Sequence, residues 1–132
     1  NDIGNICSKS SIYITPPWGF EAKEDFYNSV IIVKSKCEPL EVLDRLKKIE
    51  VSMGRLPKSG ENYESRIIDL DILDFNNEVF EHPNLHIPHQ FIQERNFVAF
   101  PLKEINLNWV NPINGTSIKD ICQKLNNEIS KI

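Results

Sequence analysis

The stretch Ile67-Ile68-Asp69-Leu70-Asp71-Ile72-Leu73 restricts this chain more than any other. Its residues alternate between apolar and acidic, the period of a β-strand whose two faces meet different surroundings. A strand over Ile67 to Phe75 puts Ile68, Leu70 and Ile72 on one face and Asp69 and Asp71 on the other. The apolar face has to be covered, which requires a second layer packed on the sheet. The acidic face has to stay in a cleft or in water, with the two aspartate α-carbons about 6 to 7 Å apart.

The remaining pattern supplies that layer. Residues 6–15 are rich in β-branched and aromatic types and predict a strand, stopped by Pro16-Pro17, which cannot donate to a ladder. Residues 26–35 predict a second strand, and the segment between the two is too long for a tight turn and reads as a functional loop. From Pro39 to Met53 the spacing of Val42, Leu43, Leu46, Ile49 and Met53 predicts a helix with one apolar face. Pro39 suits its first position, Gly54 its end, and Glu41–Arg45 and Asp44–Lys48 pair on its wet side. Residues 56–66 have no period and read as a loop. Asn76-Asn77 turns the chain into a short strand at Glu78 to Phe80, and Leu85 to Ile87 is another. Phe91 to Glu104 reads as helical in part, broken at Pro101. Ser117, with Asp120 placed for a capping box, starts a last helix whose stripe is Ile118, Ile121, Cys122, Leu125 and Ile129. The order predicts an α+β domain, helices on one face of a mainly antiparallel sheet, with the 132 residues forming one domain.

Charge and cysteine content narrow the function. With 15 basic and 19 acidic side chains the net charge is −4, which argues against a nucleic-acid partner. Cys7, Cys37 and Cys122 form no CxxC or zinc pattern and read as packed or surface thiols of a reducing cytosol. No apolar run approaches the roughly 18 residues of a membrane span. No signal peptide is visible, in a chain that begins at Asn1 and not at Met.

Three groups of residues can carry chemistry. Asp69 and Asp71, two like charges on one face, suit Mg²⁺, which takes carboxylate oxygens and keeps water and phosphate as its other ligands. An isolated Asp-x-Asp is more often a solvated strand edge. Here Arg55 and Arg66 bracket the loop before it, with Lys58 inside, and arginine grips phosphate through paired hydrogen bonds. Thr15-Pro16-Pro17-Trp18-Gly19 makes a rigid turn carrying an indole, and Phe26 and Asn28 follow at the next strand. Aromatic walls with one amide fit a flat heterocycle, although either aromatic alone reads equally as core. His89, after Pro88, can donate to a phosphate oxygen or lie idle at the surface.

In register, Ser11-x-Tyr13-x-Thr15-Pro16-Pro17-Trp18-Gly19, Phe26-Tyr27-Asn28, Gly54-Arg55, Arg66-x-x-Asp69-Leu70-Asp71-Ile72, Pro88-His89, and Arg95-x-Phe97 with Pro101-Leu102 resemble the 6-hydroxymethyl-7,8-dihydropterin pyrophosphokinases. The resemblance covers nearly the whole chain. It implies a ferredoxin-like two-layer sandwich with extra C-terminal elements, and transfer of pyrophosphate from ATP to 6-hydroxymethyl-7,8-dihydropterin, releasing AMP, in folate biosynthesis. It assigns Asp69 and Asp71 to two Mg²⁺ ions, and Arg55 and Arg66 to the phosphates. Glu50, Arg66, Ile72, Leu85, His89 and Arg95 go to ATP. Thr15, Pro17, Trp18, Phe26, Asn28 and Phe97 go to the pterin, with Phe26 and Phe97 sandwiching its ring. It implies a cytoplasmic enzyme with no nucleic-acid or membrane partner, expected to be a monomer. The chain departs from the family in lacking an opening strand that ends in Gly-Ser-Asn and the helix after it, so it is expected to be N-terminally incomplete. Pro57, Asn62 and Asn84 stand where relatives carry arginines. A nucleotide- or pterin-binding module without turnover, or another Mg²⁺-dependent phosphotransferase, are the alternative readings.

Overall fold

The computed structural model of the chain describes residues 3–15, 26–54, 68–125 and 129–131. A bent antiparallel hairpin underlies its N-terminal part. β1 (Gly4–Lys9) runs against β4 (Ile31–Ser35), and β2 (Tyr13–Thr15) runs against β3 (Phe26–Asn28). The strands predicted over 6–15 and 26–35 are therefore each present in two pieces. Ser10 spans the break: its N–H donates to the Val30 carbonyl at 2.8 Å, and its Oγ accepts from the Val30 N–H at 2.9 Å. A hydroxyl standing in for backbone lets the ladder bend without orphaned donors. β1 is also bulged between Ile6 and Ser8. At Gly4 the strands approach so closely that a Cβ would overlap the Lys34 carbonyl, so no other residue fits without movement. β7 (Ser130–Lys131) pairs with the free edge of β2, giving the order β3-β2-β7.

Helix α1 (Pro39–Ser52) begins at its proline and is followed by Gly54 at φ 108, a conformation glycine adopts without strain. Its two predicted surface pairs form, Arg45–Glu41 at 2.8 Å and Lys48–Asp44 at 3.1 Å. Each contributes roughly 0.3–0.5 kcal/mol. Val42 is buried and Leu43, Leu46 and Ile49 are half-buried, but Met53 is not part of the covered face. It sits at the C-cap, where the backbone has left the helix, and is 46% exposed. The covered end of the helix carries Glu50 instead.

The predicted strand over Ile67 to Phe75 is the main correction. Residues 68–74 are in no ladder among the described residues. A strand needs a neighbour to accept its donors, and what holds this segment is specific contacts. The Leu70 N–H donates to Glu50, and the Leu73 carbonyl accepts from the His89 N–H at 2.8 Å. Asn76 and Asn77, both at φ 56, turn the chain as expected, with the Asn77 N–H donating to Asp74 Oδ2. The short strand placed at Glu78 to Phe80 forms two residues later, as β5 (Phe80–His82), paired with β6 (Leu85–Ile87).

Helix α2 (Asn96–Ile105) runs through Pro101, where a break was predicted. The missing N–H forfeits one hydrogen bond, but Ala99, Pro101 and Leu102 are all buried, and their packing offsets it. Helix α3 (Ile118–Lys124) is capped by Ser117, whose Oγ accepts from the Asp120 N–H at 3.1 Å. α2 and α3 enclose the core of Ile92, Ala99, Leu102, Trp109, Ile118, Ile121 and Cys122, with Leu73 and Val30 packed on its edge. Leu125 adds to this core as predicted, while Ile129 is half-buried beyond the helix end. Helices and small antiparallel sheets are thus mixed, in an arrangement compatible with an α+β fold. Among the described residues no helix is long and apolar enough to cross a membrane.

Candidate functional site

A cavity of about 410 Å³ opens where α1, the 68–74 segment and the β5–β6 hairpin meet. Asp69 and Asp71 both line it. Both are exposed while Ile68, Leu70 and Ile72 are half-buried, so the alternation written in the sequence survives without a ladder. Helix α1 contributes Leu43, Lys47 and Glu50, spaced four and three apart and so on one helical face. The hairpin contributes Asn84 and the buried Leu85. Ile72 and Leu85 give the cavity apolar wall, and the aspartates give it an acidic one.

Glu50 is only 3% exposed, and its Oε2 accepts from the Leu70 N–H at 2.6 Å. His89 and Gln90 line the same cavity, just after the cis Ile87–Pro88 bond. Burial holds the His89 imidazole below its usual value, with Asp71 opposing that shift and Arg95 adding to it. The Phe91 N–H donates to His89 Nδ1 at 3.1 Å. In the neutral ring the proton is then on Nε2, which leaves that nitrogen as the donor.

Arg95 lies outside the residues lining the cavity. Its guanidinium sits over the Phe91 ring at 4.5 Å from the centroid, and 5.8 Å from that of Phe97. His89 packs against the other partner, tilted on Phe91 at 5.8 Å. Arg95 is therefore held between the His89 side of the cavity and Phe97, stacked on aromatics as arginine readily is. Phe97 is half-buried on α2, which packs against β2 and β3. Those strands carry Thr15, 5% exposed, paired in register with Phe26, 47% exposed, and Asn28 opposite Tyr13. Arg55, Arg66, Lys58, Pro17 and Trp18 lie outside the described residues.

The sequence reading missed Lys47 and Gln90 in the cavity wall. Lys47 could have been found, since it falls between Leu43 and Glu50 on one face. It also missed Glu104, whose carboxylate accepts from the Ser11 N–H at 3.1 Å, the Ser11 hydroxyl at 2.8 Å and the Tyr13 hydroxyl at 2.7 Å. These partners are more than ninety positions away, and no local pattern announces them.

Two carboxylates on one wall suit a hard divalent cation that completes its shell with water and phosphate. Among the described residues no group of three or more His, Cys, Asp or Glu side chains is disposed to hold a metal by itself. Asp69 and Asp71 on one wall fit Mg²⁺ that is shared with an anionic ligand.

The family described as 7,8-dihydro-6-hydroxymethylpterin-pyrophosphokinase (HPPK) matches residues 1–107. A protein of Aquifex aeolicus named 2-amino-4-hydroxy-6-hydroxymethyldihydropteridine pyrophosphokinase is 37% identical over 111 residues, 84% of this chain and 68% of that protein. Proteins of the same name from Porphyromonas gingivalis and Methylorubrum extorquens are 36% and 31% identical, the first over 83% of this chain and 76% of its own length. The second aligns over 91% of this chain and 73% of its own length.

Proposed function

The chain belongs to the 7,8-dihydro-6-hydroxymethylpterin-pyrophosphokinase family, and on that premise we propose that its cavity takes the ATP phosphates and a slot beside α2 takes the pterin. The activity is pyrophosphoryl transfer from ATP to 6-hydroxymethyl-7,8-dihydropterin in folate biosynthesis. One observation carries the site assignment: Asp69, Asp71, Glu50, Ile72, Leu85 and His89 border a single cavity. It supports a nucleotide whose base rests on Ile72 and Leu85 and whose phosphates reach the aspartates.

In the reaction the hydroxymethyl oxygen of the pterin bonds to the β-phosphorus. The bond from that phosphorus to the α-bridging oxygen breaks, AMP leaves with the electron pair, and the hydroxyl proton passes to solvent. Such transfer needs in-line positioning and charge neutralisation more than covalent help. Asp69 and Asp71 would hold two Mg²⁺ ions, which when bound neutralise phosphate charge. His89 donates from Nε2 to a phosphate oxygen, and its burial keeps it neutral at pH 7. Arg95 reaches the nucleotide from its stack on Phe91. Arg55 and Arg66 stabilise the charge that grows on the leaving phosphate. Thr15, Pro17, Trp18, Phe26, Asn28 and Phe97 form the pterin slot, Phe26 and Phe97 stacking on its ring. The reading includes the ferredoxin-like sandwich, a monomeric cytoplasmic protein, and no nucleic-acid or membrane partner.

AMP formation from ATP in the presence of the pterin tests the proposal. Asp71→Ala is expected to abolish transfer while calorimetry still detects the pterin bound. Near-normal turnover in that variant refutes the metal role.

A further inference from the structure

We propose that Glu50 is a positioning residue, which fixes the spacing of Asp69 and Asp71 by holding the backbone N–H of the residue between them. The inference rests on the reading that this pair takes the metal-bound phosphates, and deepens it. Resemblance alone put Glu50 beside the nucleotide. Its observed partner is Leu70, whose N–H reaches Oε2 at 2.6 Å.

Three observations make this contact more than a packing detail. The segment 68–74 has no strand partner among the described residues, and the contacts that hold it there are hydrogen bonds at single residues. Leu70 is the only residue between the two aspartates, so moving it moves both. Glu50 is 3% exposed, and a carboxyl group is removed from water at a cost of several kcal/mol unless a strong donor meets it. A leucine or methionine at that helical position would cover the same surface without the cost. It could not accept the N–H, and Leu70 would then carry an unsatisfied donor. The tether also ties the aspartates to α1, the element that brings Lys47 to the same cavity. Along with the His89 N–H on the Leu73 carbonyl, it pins the segment at two points, one of them between the two aspartates.

The role predicts a split between charge and hydrogen-bond acceptance. Glu50→Gln keeps a carbonyl oxygen that can accept from Leu70, whereas Glu50→Ala keeps none. Partners one step removed from a metal typically change its affinity about 10- to 100-fold when lost. The test compares the unaltered chain with both variants in two measurements. One is the affinity for Mn²⁺ together with a non-hydrolysable ATP analogue, and the other is hydrogen exchange of the Leu70 amide without metal. Pterin affinity and helical circular dichroism report whether each variant is folded. Glu50→Ala is expected to weaken Mn²⁺ binding about 10- to 100-fold and to unprotect Leu70, and Glu50→Gln to recover most of both. A glutamine variant with Leu70 protected but metal binding as weak as in alanine would overturn the inference, because the charge itself would be the contact. So would fast Leu70 exchange in the unaltered chain while it binds Mn²⁺-nucleotide normally. A chain that binds no Mn²⁺-nucleotide, yet shows Glu50-dependent protection of Leu70, would overturn the functional reading and leave the tether standing.

Discussion

Tyr13→Phe removes one hydroxyl from the junction between the hairpin and α2, and its consequences can be worked out in advance. The Tyr13 hydroxyl donates to Glu104 at 2.7 Å, and the same carboxylate accepts from Ser11, so this one acidic group joins β2 and the chain leading into it to the end of α2. A buried hydrogen bond to a charged acceptor contributes roughly 1.5–3 kcal/mol. Glu104 is exposed, so solvent competes for it, and about 1 kcal/mol is the expected loss. For a chain of this size that lowers Tm by about 3–5 °C. Phenylalanine keeps the ring, which is 7% exposed, so the packing term is unchanged. The bond has two pH signatures of opposite sense. Burial, then the Glu104 hydrogen bond, push the Tyr13 hydroxyl from 10.0 up to about 12. Its folded pKa is raised, so its contribution is complete below about pH 10 and disappears as pH rises toward 12. The Tyr13 hydrogen bond leads the causes that hold the Glu104 carboxyl below its usual value. That folded pKa is depressed, so its contribution is present above the ordinary carboxyl range and vanishes as pH falls through the folded value. Urea unfolding of the unaltered chain, Tyr13→Phe, Glu104→Gln and the double variant gives the coupling directly. Additive losses, with no coupling above about 0.3 kcal/mol, would show that the hydroxyl and the carboxylate do not act on each other.

Two further outcomes follow from burial. Because His89 stays neutral in the fold below the pH at which the unfolded imidazole takes up a proton, about 6.5, stability should fall as pH drops from there toward the depressed folded value. Urea midpoints at several pH values should show that slope flattened in His89→Gln, and equal slopes in both proteins would contradict it. Ile118, fully buried in the core, should cost about 2–4 kcal/mol as Ile118→Ala, read by chemical denaturation, and a loss below about 1 kcal/mol would mean the core collapses around the gap.

What the sequence made legible was whatever a local period or a local cap decides. Helix α1 ends within a residue of its predicted bound because Pro39 and Gly54 are backbone punctuation that needs no tertiary partner. β6 and the Ser117 cap are correct for the same reason. Strand status was less readable. Alternation at Ile68 to Ile72 foretold which side chains are exposed, but a ladder also depends on a neighbour, and none pairs with this segment among the described residues. Pro101 misled because its penalty is local while the burial of Ala99, Pro101 and Leu102 is tertiary. Ser10 misled in the opposite direction, since a hydroxyl that bridges two ladders looks like any strand serine. Within the candidate site, Asp69 and Asp71 could be paired from spacing, whereas resemblance alone put Glu50 there and its contact with Leu70 is visible only in the fold.

Several of the places where this chain breaks local rules lie together. A carboxyl group sits buried where α1 should carry an apolar side chain, a lysine lines the same face one turn earlier, and two aspartates share one wall on a segment that has no ladder among the described residues. All of them border one cavity. The core where α2 and α3 close over Ile92, Trp109 and Ile118 is mainly apolar, although the Trp109 Nε1 is buried there without a partner among the described residues. Concentration beside one cleft is the pattern of stability given up where charge has to be presented to a ligand. It follows that replacing Glu50, Asp69 or Asp71 with apolar residues of similar size should not be strongly destabilising, even as it removes nucleotide binding. Equal loss of stability at those positions and at Ile118 would mean that the cavity wall is held together by the same packing as the core, and that its polar residues are structural.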